Sequence, residues 1–192
     1  MAKLFFNYGA MGSSKTANAL MCHFNYEERG QKPLLCKSGV DKRDGELIIR
    51  SRIGLEKECI TIEELMTYTD KQLQEYDAII CDEIQFATPE QIDRLSDIVD
   101  FLDIPVLCYG LRADFQNKLF PGSKRLLTIA DEINEIKTVC WCSRKAICNA
   151  RYNEKGIVRE GQQIELGAND KYISLCRKHF KTGNLGPNCM IQ

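Results

Sequence analysis

Residues 9–16 read GAMGSSKT, close to the phosphate-loop pattern G-x-x-x-x-G-K-[ST]. In such a loop the backbone N–H groups point at phosphate oxygens. Lys15 would neutralise the β- and γ-phosphates, and Thr16 would offer its hydroxyl to Mg²⁺. Gly9 supplies conformational freedom at the turn. Ser14 stands where the pattern has its second glycine, and it fits if the backbone there is already helical. Asp82 and Glu83 close the apolar run AIICDE at 78–83. An acid at that point can hold Mg²⁺, directly or through water. The acid beside it can accept a proton from an attacking hydroxyl. A third group gathers soft ligands: Cys140 and Cys142 as C-x-C, Cys176 and His179 as C-x-x-H. Two such pairs match a closed, structural tetrahedral zinc site of the Cys₃His type. Cys148 is a competing ligand and Cys189 a weaker one.

These residues need elements to position them. Residues 3–8 (KLFFNY) read as a strand running into the loop, and 14–29 as a helix, with Ala17, Leu20, Met21 and Phe24 at near-helical spacing and Gly30 as its cap. PLLCK at 33–37 is a buried strand. The mixed, charged stretch 38–58 reads as a mobile loop, and IEELM at 62–66 as part of a helix. The run 78–83 fits a parallel strand buried on both faces. A helix follows, with Thr88 as cap, Pro89 at its first position and Gln91 at capping-box spacing. IPVLCYG at 104–110 is another central strand. Strands alternating with helices imply an α/β fold with a mainly parallel sheet. After residue 138 the texture changes, so we expect residues 1–138 as a nucleotide-binding domain and 139–192 as a zinc-binding module.

The 192 residues are 44% hydrophobic, enough for one sizeable core. A net charge of −1 argues against nucleic-acid binding by bulk electrostatics. No apolar run approaches the length that crosses a bilayer. MAKLFFNYGA carries one Lys before the loop, and a cleaved signal peptide would take a needed strand with it. A cytoplasmic protein is expected. The chain has 10 cysteines, and Cys22, Cys36, Cys81 and Cys108 sit singly in apolar segments, where a thiol serves as a small hydrophobe.

Taken together, GAMGSSKT, DEIQF at 82–86, PVLCYGLRADFQNKLFPGS at 105–123, CWC at 140–142 and GANDKYISLCRKHF at 167–180 resemble the thymidine kinases of the small tetrameric type. The resemblance spans essentially the whole chain. It implies a P-loop, RecA-like sheet with a C-terminal zinc-binding module whose lasso loop, roughly 153–175, covers the nucleoside. It implies ATP-dependent phosphorylation of the thymidine 5′-hydroxyl in deoxynucleoside salvage, feedback by dTTP, and a homotetramer. Gly9, Ala10, Met11, Gly12, Ser13, Ser14, Lys15 and Thr16 would hold the ATP phosphates, with Asp41, Arg43, Ile84 and Gln85 nearby. Asp82 would serve Mg²⁺ together with Thr16, and Glu83 would be the general base. Met11, Phe86, Phe115 and Phe120 would line the pyrimidine pocket. Tyr172 and the stretch Gln163, Ile164, Glu165, Leu166, Gly167 would contact the nucleoside. The chain departs from the family at Ser14, where glycine is usual, and at Ile84, where a small residue is usual. Those departures leave room for a weakly active, zinc-stabilised nucleotide-binding protein, or for a kinase of another pyrimidine deoxynucleoside.

Overall fold

A computed structural model describes residues 1–39, 47–163 and 171–187. Asp41, Arg43, the stretch 164–167 and Cys189 lie outside the described residues. The chain opens with β1 (Leu4–Tyr8), α1 (Lys15–Glu27) and β2 (Pro33–Lys37). Next come β3 (Ile48–Arg50), β4 (Glu56–Glu58), β5 (Ile60–Thr61), α2 (Ile62–Leu65) and α3 (Asp70–Leu73). Then follow β6 (Ala78–Asp82), a single 3₁₀ turn (Ile84–Phe86), α4 (Pro89–Leu102), β7 (Val106–Gly110), α5 (Pro121–Ile129) and β8 (Glu132–Glu135).

The main sheet has the order β5-β2-β6-β7-β1-β8, and all its neighbours pair in parallel. This is the α/β arrangement expected from the alternation of apolar runs and helices. Every residue of β6 is buried, as a strand covered on both faces must be. Cys36, Cys81 and Cys108 sit side by side on β2, β6 and β7, fully buried, and serve as compact core residues. Ahead of α4, Thr88 and Gln91 form a complete capping box, with Pro89 at the first helical position.

Two expectations change. Within 38–58, Ile48–Arg50 and Glu56–Glu58 pair as an antiparallel hairpin rather than a loop. All three residues of β4 are exposed and charged, so only β3, where Ile49 is buried, carries an apolar signal, and a short one. On α1, Met21 and Phe24 are 47% and 56% exposed rather than core. The buried face runs through Lys15, Ala19 and His23, four residues apart, and turns both apolar side chains outward.

The chain continues through β9 (Thr138–Val139), β10 (Lys145–Ala146), β11 (Cys148–Asn153), β12 (Gly156–Ile157), β13 (Lys171–Leu175) and α6 (Arg177–Thr182). Strands β12, β11 and β13 form a small antiparallel sheet, and β9 pairs with β10. Cys140, Ala146, Cys148, Ala150, Leu175 and Phe180 make a separate apolar cluster there. Part of the expected lasso region is therefore strand: β12 and β13 lie inside it.

Candidate active site

The loop between β1 and α1 is held in an unusual shape. Ser14 has φ 62 and ψ 27, and Gly12 has φ 71, so both are left-handed. The expectation of a helical backbone at Ser14 is thus overturned: the chain adopts the conformation that glycine favours, with serine in it. The Ser14 side chain is exposed and makes no capping hydrogen bond. Gly9 is required for space, because a Cβ there would lie 2.3 Å from Ser13 Oγ and 2.5 Å from the Ile136 carbonyl. Lys15 is buried, and its Nζ donates to the Ala10 carbonyl at 2.9 Å, across the bowl of the loop.

Helix α1 crosses back over β6, although β7 lies between β6 and β1 in the sheet. This brings the loop to the carboxyl end of β6. Asp82, the last residue of β6, is 3% exposed and accepts a hydrogen bond from the Thr16 hydroxyl. Burial, then the neighbouring Glu83 charge, push its carboxyl up to about 7, against the pull of Thr16 and Lys15. A carboxylate so destabilised is ready to take a cation.

Glu83 follows with φ 51, a left-handed conformation rare for a side-chain-bearing residue and common at functional positions. Gln85 is fully buried; its amide nitrogen donates to Glu83, and its oxygen accepts from the Leu111 N–H at 2.9 Å. That second bond fixes which way the amide faces. Gln85 is thereby a support for the acid. Ile84 lies in the main core, 1% exposed, with its Cγ2 against Gly110. The resemblance puts Ile84 near the phosphates, and its side chain packs into the core beneath that place.

The aromatic residues gather around the segment after β7. Phe86 and Phe120 meet edge to face at 5.7 Å. Phe115 is 2% exposed, with the Arg151 guanidinium 5.0 Å over its ring. Met11 is half-buried in the phosphate loop, and Tyr172 on β13 is 39% exposed. Gln163 docks on this segment, its amide donating to Asp114 Oδ2 at 2.8 Å. The other oxygen of Asp114 accepts the N–H groups of Gln116 and Lys118, which closes the 114–118 turn.

The Cys/His residues also converge. The reactive atoms of Cys140, Cys142, Cys176 and His179 all lie within 4.8 Å of one another. Cys140 Sγ is 3.4 Å from His179 Nδ1, and Cys142 Sγ is 3.9 Å from Cys176 Sγ. The first two cysteines lie in the β9–β10 turn, where Ser143 is left-handed. Cys176 caps α6, and the N–H of His179 holds its thiol below the ordinary value. Trp141 stacks on His179 at 4.3 Å, and Gly186 gives it room, since a Cβ there would sit 2.6 Å from the indole. Four ligand atoms at these separations can hold one metal ion. Cys148 is outside this cluster among the described residues.

The thymidine kinase family model matches residues 2–180. The chain is 47% identical over 186 residues to a thymidine kinase of Zymomonas mobilis, covering 94% of this chain and 96% of that protein. A thymidine kinase of Jannaschia sp. is 46% identical over 187 residues, at 94% and 96% coverage. One from Photobacterium profundum is 43% identical over 190 residues, at 94% and 97%. The chain belongs to the thymidine kinase family.

In this thymidine kinase family member, several residues at the site went unremarked in the sequence. Asp114, Gln116 and Arg151 organise the aromatic side, and Thr138, Asn149 and Ser174 reach the phosphate loop from β9, β11 and β13. For Asp114 a signal existed: an aspartate before Gln116 and Lys118 in ADFQNK reads as an Asx turn. Asn149 and Ser174 lie in strands that mix polar and apolar residues, CNARYN and KYISL, and nothing local sets them apart.

Proposed function

We propose that this chain transfers the γ-phosphoryl group of ATP to the 5′-hydroxyl of thymidine, giving dTMP and ADP. The observation that carries the reading is one juxtaposition. Lys15 and Thr16 open α1 under a phosphate loop, and Thr16 touches buried Asp82, with Glu83 next along the chain. Family membership supplies the thymidine.

In this reading Lys15 leaves the Ala10 carbonyl for the β- and γ-phosphate oxygens, and the loop N–H groups cradle the rest. Asp82 and Thr16 would hold Mg²⁺, which spreads the charge that develops on the transferring group. Glu83, aimed by Gln85, takes the proton from the 5′-hydroxyl as that oxygen attacks the γ-phosphorus in line. Phe86, Phe115 and Phe120, with Met11, would flank the pyrimidine, and Gln163 and Tyr172 would close over it. Excluding water matters here, because water is itself a competing acceptor of the phosphoryl group.

Cys140, Cys142, Cys176 and His179 would hold zinc. Ligands at about 2.3 Å for sulfur and 2.0–2.1 Å for nitrogen give tetrahedral edges of roughly 3.5–3.8 Å, close to the 3.4 Å of the Cys140–His179 pair and the 3.9 Å of the Cys142–Cys176 pair. Four protein ligands leave no open position, so the ion would brace β13 and α6 rather than enter the chemistry. We assign residues 1–138 to the kinase domain and 139–192 to the metal-braced module. A cytoplasmic homotetramer with dTTP feedback goes with this reading; among the described residues, no helix is long and apolar enough to cross a membrane.

The test is ADP release from Mg-ATP with thymidine, deoxyuridine, deoxycytidine and deoxyadenosine in turn. Thymidine-dependent release is expected. Release strongest with another nucleoside would reassign the substrate, and none with any of them would leave a binding protein.

A further inference from the structure

The phosphate loop is gripped from outside its own domain, and the grip is made by two residues that face each other across a strand pair. Asn149 on β11 and Ser174 on β13 are direct register partners. Asn149 Oδ1 accepts the Met11 N–H at 2.8 Å, and the Ser174 hydroxyl donates to the Met11 carbonyl. Both backbone polar groups of one loop residue, on two successive peptides, are thus held by one rung of the β11–β13 ladder. Asn149 is buried, and its amide nitrogen donates to the Ala113 carbonyl at 2.8 Å, which fixes the orientation of the amide. Thr138 adds a 3.3 Å bond to the Gly12 carbonyl.

The loop needs such help. It carries left-handed residues at Gly12 and Ser14, and the backbone bond within it, from Ser13 N–H to the Ala10 carbonyl, is long at 3.3 Å. We propose that Asn149 and Ser174 are positioning residues of the ATP site: they set the Met11 backbone so that the following N–H groups and Lys15 face the phosphates. The C-terminal module would then act on phosphate binding as well as on the nucleoside. This rests on the phosphotransferase reading.

The test measures binding of the magnesium complex of a non-hydrolysable ATP analogue by calorimetry, with steady-state kinetics beside it. Ser174→Ala should weaken the analogue and raise KM for ATP by about fivefold, the worth of one neutral hydrogen bond. Bound metal should stay at the wild-type level, and KM for thymidine should rise less than KM for ATP, because Ser174 holds the Met11 backbone and not the side chain that would meet the pyrimidine. Ser174→Thr should restore ATP binding, because it keeps the hydroxyl. Asn149→Ala should do more, but it can unfold a buried site, so Ser174→Ala carries the decision. Unchanged analogue affinity in Ser174→Ala would overturn the proposal. So would an equal loss of thymidine affinity and metal, which would mark a merely structural role. A wild-type chain that binds no analogue would overturn both this inference and the phosphotransferase reading.

Discussion

Replacing Ser14 by glycine asks whether the loop's shape belongs to the fold or is forced on one residue. Ser14 sits at φ 62, ψ 27, a region that costs an L-residue roughly 1–2 kcal/mol. Its side chain is exposed and caps nothing, so no contact is lost with the hydroxyl. Glycine relieves the strain but gives back about 0.5–1 kcal/mol in backbone entropy. The net gain is at most about 1.5 kcal/mol, or roughly 3–6 °C in Tm for a chain of this size. The loop is already in the left-handed form with serine present, so kcat should change by less than about threefold, and KM for ATP by no more than the same free energy allows, about tenfold. Thermal unfolding and steady-state kinetics of Ser14→Gly, with Ser14→Val as the unfavourable control, would check this. A hundredfold rise in kcat/KM would refute the reasoning, because it would mean that serine holds the loop away from its working shape. A fall in Tm would refute it too, by showing that the hydroxyl stabilises something.

Asp82→Asn should abolish turnover yet stabilise the metal-free protein at pH 8. The folded carboxyl titrates at about 7 and the unfolded one near 4, so its contribution is full below about pH 4 and is lost as pH rises to about 7; the loss is at most about 4 kcal/mol. Denaturant unfolding at pH 5 and pH 8 would show a wild-type deficit that grows with pH and is absent in the variant. Cys140→Ser or Cys176→Ser should lose the bound metal, read by atomic absorption, and lower Tm, because a closed site contributes its binding energy to folding. A metal-free chain with unchanged Tm would contradict that. Phe115→Ala should raise KM for thymidine by tenfold or more while leaving binding of the ATP analogue intact, if the buried ring under Arg151 flanks the pyrimidine as proposed.

Some of this was legible in the chain and some was not, for identifiable reasons. The capping box at Thr88, the buried strand before Asp82 and the C-x-C/C-x-x-H pairs depend on spacing along the chain, which a sequence displays. The left-handed Ser14 was not legible, because serine carries no mark of the backbone it will adopt. Neither was the exposure of Met21 and Phe24: apolar residues at helical spacing look like core until the docking face of α1 is known. Strand β4 hid behind charge, as exposed strands do, and its partner β3 offers only the short apolar pair Ile48–Ile49. The grip on Met11 joins residues 138 positions apart in the case of Asn149, and no local pattern encodes such a contact. Gln85 was visible as a neighbour of the acids, but the bond from the Leu111 N–H that orients its amide depends on β7 lying alongside.

The most direct test of the central claim follows the phosphate itself. ATP labelled on its γ-phosphorus is incubated with thymidine and the wild-type chain or Glu83→Gln, and the nucleotides are separated. The account predicts labelled dTMP in step with ADP for wild type, and a rate reduced by about 10²–10⁴-fold in Glu83→Gln with ATP binding retained. Label appearing as inorganic phosphate instead of dTMP, or near-normal transfer by Glu83→Gln, would contradict it.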